Sequence, residues 1–138
     1  MHQMFTYNRV KEWLLGESYA WDRVFDIFEK VVNVPDIIIA YPKSLYRNNL
    51  ENINIYFFSK GHIYSIYSST NGKDYEINDI NPRNICKIKL NISGNDNVVL
   101  AIAINNEEIL LSSKEDANQM QSYKYAETLL EIAKIYTT

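Results

Sequence analysis

Few residues in this sequence are of types that do chemistry, and their spacing serves chemistry poorly. Cys86 is the only thiol, and His2 and His62 are the only imidazoles. A zinc site needs several His, Cys or carboxylate ligands converging on one point. The chain has no CxxC and no HxxxH spacing, so no metal site is expected. The run "GNDN" at 94–97 is polar like part of a calcium loop, but it lacks the further carboxylates such a loop requires and reads as a hairpin turn. Nucleophilic catalysis needs a nucleophile, a base and an orienting group. Cys86 shares parity with Ile88, Leu90 and Ile92, which places it in the core, where a thiol is inert. His62 follows Gly61 at a hairpin and His2 lies at the chain start. Gly16, Gly61, Gly72 and Gly94 stand singly, so no glycine-rich loop cradles a phosphate. Glu107–Glu108 reads as a turn and Glu115–Asp116 as a helix start. No catalytic residue, metal or cofactor is assigned.

Two surface features remain as candidates for binding. Arg83, Lys87 and Lys89 form a small basic group, with the two lysines pointing to one side of a strand; edge-protecting lysines give the same pattern. The second feature is aromatic. In the hairpin formed by "INIYFF" and "HIYSIYS", apolar residues occupy both faces: Ile53, Ile55 and Phe57 against Tyr56 and Phe58, then Ile63 and Tyr67 against Tyr64 and Ile66. A half-exposed sheet alternates more cleanly. Something must cover the second face, either the N-terminal helices or a partner, and Tyr56 and Tyr64 are the residues to watch there.

The elements that would position these residues follow from periodicity. Residues 1–34 read as helical. Tyr7, Val10 and Leu14 fall at helical spacing, with Trp13 beside them. Ser18 caps a second helix whose apolar stripe is Trp21, Val24, Phe25, Phe28, Val31 and Val32, stopped at Pro35. "DIIIAYP" is a candidate short strand and "KSLYRNNLEN" a polar connection. From Ile53 to Ser113 the period is two. Asn71–Gly72 is a strong hairpin signal, "ICKIKLNIS" and "VVLAIAI" alternate, and "NNEE" turns the chain again. From 114 to 136 a helix follows, its start marked by capping-box spacing at Ser113–Asp116 or Ser112–Glu115. Its apolar stripe reads Met120, Tyr123, Ala126, Leu130, Ala133 and Tyr136.

Length and charge exclude several classes. The 138 residues fit a single domain with a sizeable core, and a net charge of -3 gives no bulk attraction for nucleic acid. The longest apolar stretches are too short to span a bilayer, and the N-terminus lacks a signal-peptide pattern. One cysteine fits a reducing compartment, so the expected location is cytoplasmic. Abundant Asn, Ile, Lys and Tyr with scarce Arg match AT-rich codons, which points to a low-GC bacterium or its phage.

The expected fold is α+β: N-terminal helices, an antiparallel bent sheet or barrel, and a C-terminal capping helix. Over residues 53–136 this order resembles the pleckstrin-homology-like superfold. That fold has seven strands; six are evident here, and the seventh would be "EINDI" or "DIIIA". The whole chain also resembles small uncharacterised bacterial proteins. Lipid-binding members of the superfold place several Lys and Arg around their first hairpin. Here "FFSKGHIY" offers only Lys60, so strong membrane or phosphoinositide binding is not expected. The sequence leaves three functions open: a non-enzymatic interaction or scaffold module with a protein partner or as a homodimer; an enzyme or small-ligand binder with a pocket between the N-terminal helices and the sheet; and a toxin-neutralising or phage-encoded partner protein.

Overall fold

The first helix, α1 (Tyr7–Leu15), buries Tyr7, Val10 and Leu14, one residue per turn. The second, α2 (Tyr19–Val31), buries Trp21, Val24, Phe25 and Phe28 and leaves Asp22, Arg23 and Asp26 outside. A 3-10 turn, Val34–Asp36, ends the helical segment at Pro35, which has no N–H to continue it. In the computed structural model, residues 5–15, 19–43, 54–68, 74–94, 97–116 and 122–137 are described. The Ser18 cap, the 44–53 connection and the Asn71–Gly72 turn lie outside them.

Seven strands follow among the described residues: β1 (Ile39–Lys43), β2 (Asn54–Phe58), β3 (Ile63–Ser68), β4 (Tyr75–Ile80), β5 (Ile85–Ile92), β6 (Val98–Ile104) and β7 (Glu107–Ser112). Of the two candidates for a seventh strand, "EINDI" lies within β4, while "DIIIA" contributes only Ile39 and Ala40 to β1, its Asp36 standing in the 3-10 turn. They form two antiparallel sheets, ordered β1-β2-β3-β4 and β5-β6-β7. The β6–β7 turn is tight: Asn105 and Asn106 have φ of 53° and 64°, left-handed values that asparagine tolerates and that match the twist of a two-residue hairpin. The last element is helix α3 (Ser122–Thr137). The fold is α+β, with the N-terminal helices ahead of the sheets.

Register assigns each side chain of the four-stranded sheet to a face. Phe57 pairs with Tyr64 and with Ala40, while Ile55 pairs with Ile66, which in turn pairs with Ile77; these share one face. That face lies under α1 and α2. Phe28 meets Phe57 at 4.6 Å and Tyr64 at 5.9 Å between ring centroids, Tyr7 meets Phe57 at 5.7 Å, and Trp21 meets Tyr75 at 5.2 Å. Each such pair adds about 0.5–1.5 kcal/mol beyond simple burial. Glu29 on α2 ties the two helices together, accepting from the Tyr7 hydroxyl at 2.6 Å and from the Lys11 ammonium. Hydrogen bonds from Lys11 and then Tyr7 hold the Glu29 carboxyl below its usual value. Burial, aided by Glu29, pushes the Tyr7 phenol up.

The same register corrects the grouping of the hairpin aromatics. Tyr56 pairs with Ser65, not with Tyr64, so Tyr56 and Tyr64 lie on opposite faces. The N-terminal helices cover Tyr64; Tyr56 and Phe58 face the second sheet and α3. Strands β2 and β3 are thus covered on both sides, which is why neither alternates apolar with polar.

In the three-stranded sheet, Val98, Leu100, Ile102, Ile104, Ile109 and Leu111 point inward and are buried in the core shared with the first sheet. Strand β5 carries a bulge between Ile85 and Lys87. The extra residue is Cys86, which the bulge leaves exposed instead of in the core. Parity counted back from Ile88 fails there because one residue is unpaired.

Helix α3 crosses the inner faces of both sheets. Its buried stripe is Tyr125, Leu129, Ile132 and Ala133, with Ala126 and Tyr136 partly covered. Tyr123 is 60% exposed and Leu130 is also exposed, so the stripe is rotated from the expected one. Adjacent apolar pairs such as Leu129–Leu130 make that rotation ambiguous from spacing alone. The start differs too. Ser113–Glu115 is a turn, because its hydroxyls serve other partners: Ser113 Oγ accepts from Val98 N–H (3.0 Å) and donates to Asn97 Oδ1 (3.1 Å).

Candidate functional site

The inner face of the four-stranded sheet changes character along the strands. One cross-strand row is Ile39–Phe58–Ile63–Ile80, all apolar. The next is Tyr41–Tyr56–Ser65–Asn78, and the last is Lys43–Asn54–Tyr67–Glu76. Inward positions between two sheets are ordinarily apolar, because a polar group without partners costs free energy when buried. Here polarity rises toward one end. At that end the sheets part around a groove of about 490 Å³, lined by Asn54, Tyr56, Ser65, Tyr67, Glu76, Asn78, Asp79 and Ile80 of the first sheet and Glu107, Glu108 and Ile109 of β7.

The one cation in these rows, Lys43, is spent elsewhere. The Lys43 ammonium donates to the Leu110 carbonyl (2.7 Å) and lies 3.9 Å from Asp116 Oδ1. Asp116 is only 1% exposed, and its Oδ2 accepts from the Tyr41 hydroxyl (2.7 Å) and from Ser112 N–H (2.8 Å). Burial raises the Asp116 carboxyl above its usual range against the pull of Tyr41, Lys43 and Ser112. This knot fastens the end of β7 to β1 and has no place in the groove lining.

The groove's own groups are largely uncommitted. Ser65, 6% exposed, accepts from the Asn78 amide at 3.3 Å, and its proton has no acceptor among the described residues. The hydroxyls of Tyr56 and Tyr67, the Asn54 amide and the carboxylates of Glu76, Glu107 and Glu108 also have no side-chain partner among the described residues. Asp79 is engaged by His62 Nδ1 at 2.9 Å. Burial, with the charges of Asp116 and Glu107, raises the Tyr56 phenol and keeps it neutral. No basic residue lines the groove among the described residues. The carboxylates ring the mouth without converging: no group of three potential ligands that could hold a metal ion occurs among the described residues.

The five residues singled out from the sequence are scattered. Tyr56 lines the mouth. Tyr64, 7% exposed, sits between Phe28 and the stacked His62 ring (5.0 Å) on the helix side, and burial, then Asp79 and Asp36, raises its phenol. Arg83 lines a separate depression of about 560 Å³ with Lys60, Asn81 and Tyr136. Lys87 and Lys89 are exposed on the outer face of β5, opposite Ala103 and Ala101, away from Arg83's depression. The structure keeps the two lysines together and gives Arg83 a different neighbour. The interface between the N-terminal helices and the sheet is filled by aromatic rings, and both described cavities lie elsewhere.

Sequence reasoning missed Asn54, Ser65, Tyr67, Glu76, Asn78, Glu107 and Glu108. A signal existed: Asn54, Ser65 and Asn78 share inward parity with Phe58, Ile63 and Ile80, so polar residues interrupt an inward row. Reading it required the β3–β4 pairing, which periodicity alone did not give. No helix among the described residues is long and apolar enough to cross a membrane. No curated protein and no solved structure matches the chain. A family model does match, over residues 6–127, and the chain belongs to that family, DUF3908, described as a protein of unknown function.

Proposed function

We propose that the protein is a non-enzymatic binding module and that the mouth between its sheets receives the partner. The observation that carries this is a pair of inward polar rows: Tyr56, Ser65 and Asn78 of one and Asn54 of the next face the groove, and the Ser65 proton, the Tyr56 hydroxyl and the Asn54 amide have no partner among the described residues. Ser65 is the buried one of these, and a buried polar group short of a partner calls for an occupant, water or ligand. Catalysis has no comparable support, since no nucleophile in the groove stands beside a base. The four-plus-three strand order and closing helix also support the pleckstrin-homology-like reading of the fold, and a cytoplasmic setting is part of the same account. Within that fold, the Glu-rimmed mouth repels phosphate headgroups, which argues against phosphoinositides as ligands.

A fragment screen read by backbone amide shifts tests this. Hits should cluster on Asn54, Ser65, Tyr67 and Asn78. Hits concentrated on Lys87 and Lys89, or around Arg83, would contradict the assignment and move the recognition surface to the basic residues.

A further inference from the structure

The mouth's chemistry narrows what it takes. Tyrosine and serine hydroxyls, side-chain amides and carboxylates all offer acceptor oxygens, and only the hydroxyls and amides also donate. Glu76, Glu107 and Glu108 add negative charge with no cation among the lining residues. A ligand that complements this set is rich in donors and positively charged. An inorganic cation does not fit, because the carboxylates do not converge. Guanidinium carries five N–H donors and ammonium three, both pair with carboxylates, and guanidinium also stacks on tyrosine faces such as those of Tyr56 and Tyr67.

A second observation concerns what carries the cation. Strand β4 ends its sheet: it pairs with β3 and with no other strand among the described residues. Its Glu76 and Asn78 line the mouth. An extended segment paired along this edge would turn every second side chain toward the same face as Glu76 and Asn78, directly at the groove. Edge pairing supplies main-chain hydrogen bonds, and the groove supplies selection of side chains.

Resting on the mouth as the binding site, we infer that the protein recognises an extended segment of a partner polypeptide that adds to the edge of β4 and seats arginine or lysine side chains among Tyr56, Ser65, Tyr67, Glu76, Asn78 and Glu107. The alternating period matters: cations at every second position reach the groove together.

The experiment is an amide-shift titration of the whole chain with three probes. These are a capped peptide alternating arginine and valine, the same peptide with citrulline for arginine, and spermidine. The arginine peptide should bind saturably, shift the amides of β4 with those of Ser65 and Glu107, and slow hydrogen exchange along β4. Citrulline should weaken it about tenfold or more, and so should Glu76→Gln with Glu107→Gln, the size expected for losing charge-assisted hydrogen bonds. Equal binding of the citrulline peptide at the mouth would overturn the cationic class while leaving the mouth as a binding site. Equal affinity and an equal shift pattern for spermidine would overturn the polypeptide and assign a free polyamine. Arginine-peptide shifts that spread over the acidic surface and ignore the Glu→Gln changes would overturn the inference as nonspecific attraction. If no probe or fragment moves the mouth, the functional reading fails with it.

Discussion

The two faces of the β1–β4 sheet carry similar numbers of aromatic rings and use them differently. Under α1 and α2, Phe57 and Tyr64 meet Phe28, and Tyr75 meets Trp21, with centroids within 6 Å and almost no exposure for the first three. On the opposite face, Phe58 is buried against Tyr136, Tyr56 is half-covered, and Tyr67 is 41% exposed at the rim of the groove. The rings are therefore not themselves the functional signal. What distinguishes the second face is the company they keep: hydroxyls, amides and carboxylates, several without a side-chain partner among the described residues, in rows that become polar toward one end. The helix side is held together by ring-on-ring packing. The mouth is held open, and the cost of its polar lining is borne by the packing behind it.

Breaking the helix side should produce the largest effect. Phe28 stacks near Tyr7 and Phe57 and meets Tyr64 edge-on, so Phe28→Ala removes a ring from the centre of four. The expected loss is about 3–5 kcal/mol in urea unfolding, the range for buried Phe→Ala. A loss below about 1 kcal/mol would mean that α2 does not pack as described.

Next comes the knot that engages Lys43. Asp116→Ala leaves the Tyr41 hydroxyl and Ser112 N–H buried without their acceptor, which should cost about 1–3 kcal/mol each way the network relaxes. The pH dependence has a defined direction. Because burial raises the Asp116 carboxyl in the fold, the folded state holds its proton more tightly than the unfolded chain. The ionised form of Asp116 therefore costs stability relative to the unfolded chain, and that cost is relieved as pH falls through the raised value toward the unfolded value near 3.8. Glu29 acts oppositely: its contribution is present above the unfolded value and is lost as pH falls through its lowered one. Stability of the wild type relative to Asp116→Asn should thus rise between about pH 7 and about pH 4. A flat or falling difference would show that the carboxyl is not shifted upward.

The smallest effect on stability belongs to Cys86. Standing outside the core at the β5 bulge, its Sγ donates to the Ala103 carbonyl at 3.4 Å. A thiol reagent should label it in the folded protein, and Cys86→Ser should change stability by no more than about 0.5 kcal/mol. Protection until global unfolding would restore it to the core.

How much of this was legible in the sequence depended on which interaction decided each element. The stripes of α1 and α2 came through, apart from Val31, which is exposed at the end of α2, because Val10, Leu14, Phe25 and Phe28 fall on one helical face with polar neighbours opposite. The two-strand hairpin and its double coverage came through because Tyr56, Phe57 and Phe58 are consecutive and cannot all face one side. Cys86 was misplaced because a bulge is a tertiary accommodation that leaves no mark in period-two spacing. The start of α3 was misplaced because Ser112 and Ser113 can cap a helix or serve Asn97, and only the fold brings Asn97 near. The candidate site was barely visible. Tyr56 was found as an aromatic, while its neighbours Ser65 and Asn78 became meaningful only when register set them side by side.

Strand β3 holds the comparison within three residues, since Tyr64 lies on the helix side and Tyr67 at the mouth. Urea unfolding of Tyr64→Lys and Tyr67→Lys, measured side by side, tests the division most directly. Tyr64→Lys should remove most of the cooperative stability, because an ammonium replaces a ring packed on Phe28. Tyr67→Lys should stay within about 0.5 kcal/mol of the wild type, while its new cation competes for the mouth and weakens the arginine peptide. Comparable losses of stability in both variants would contradict the account, because the mouth would then be core and not a surface held open for a ligand.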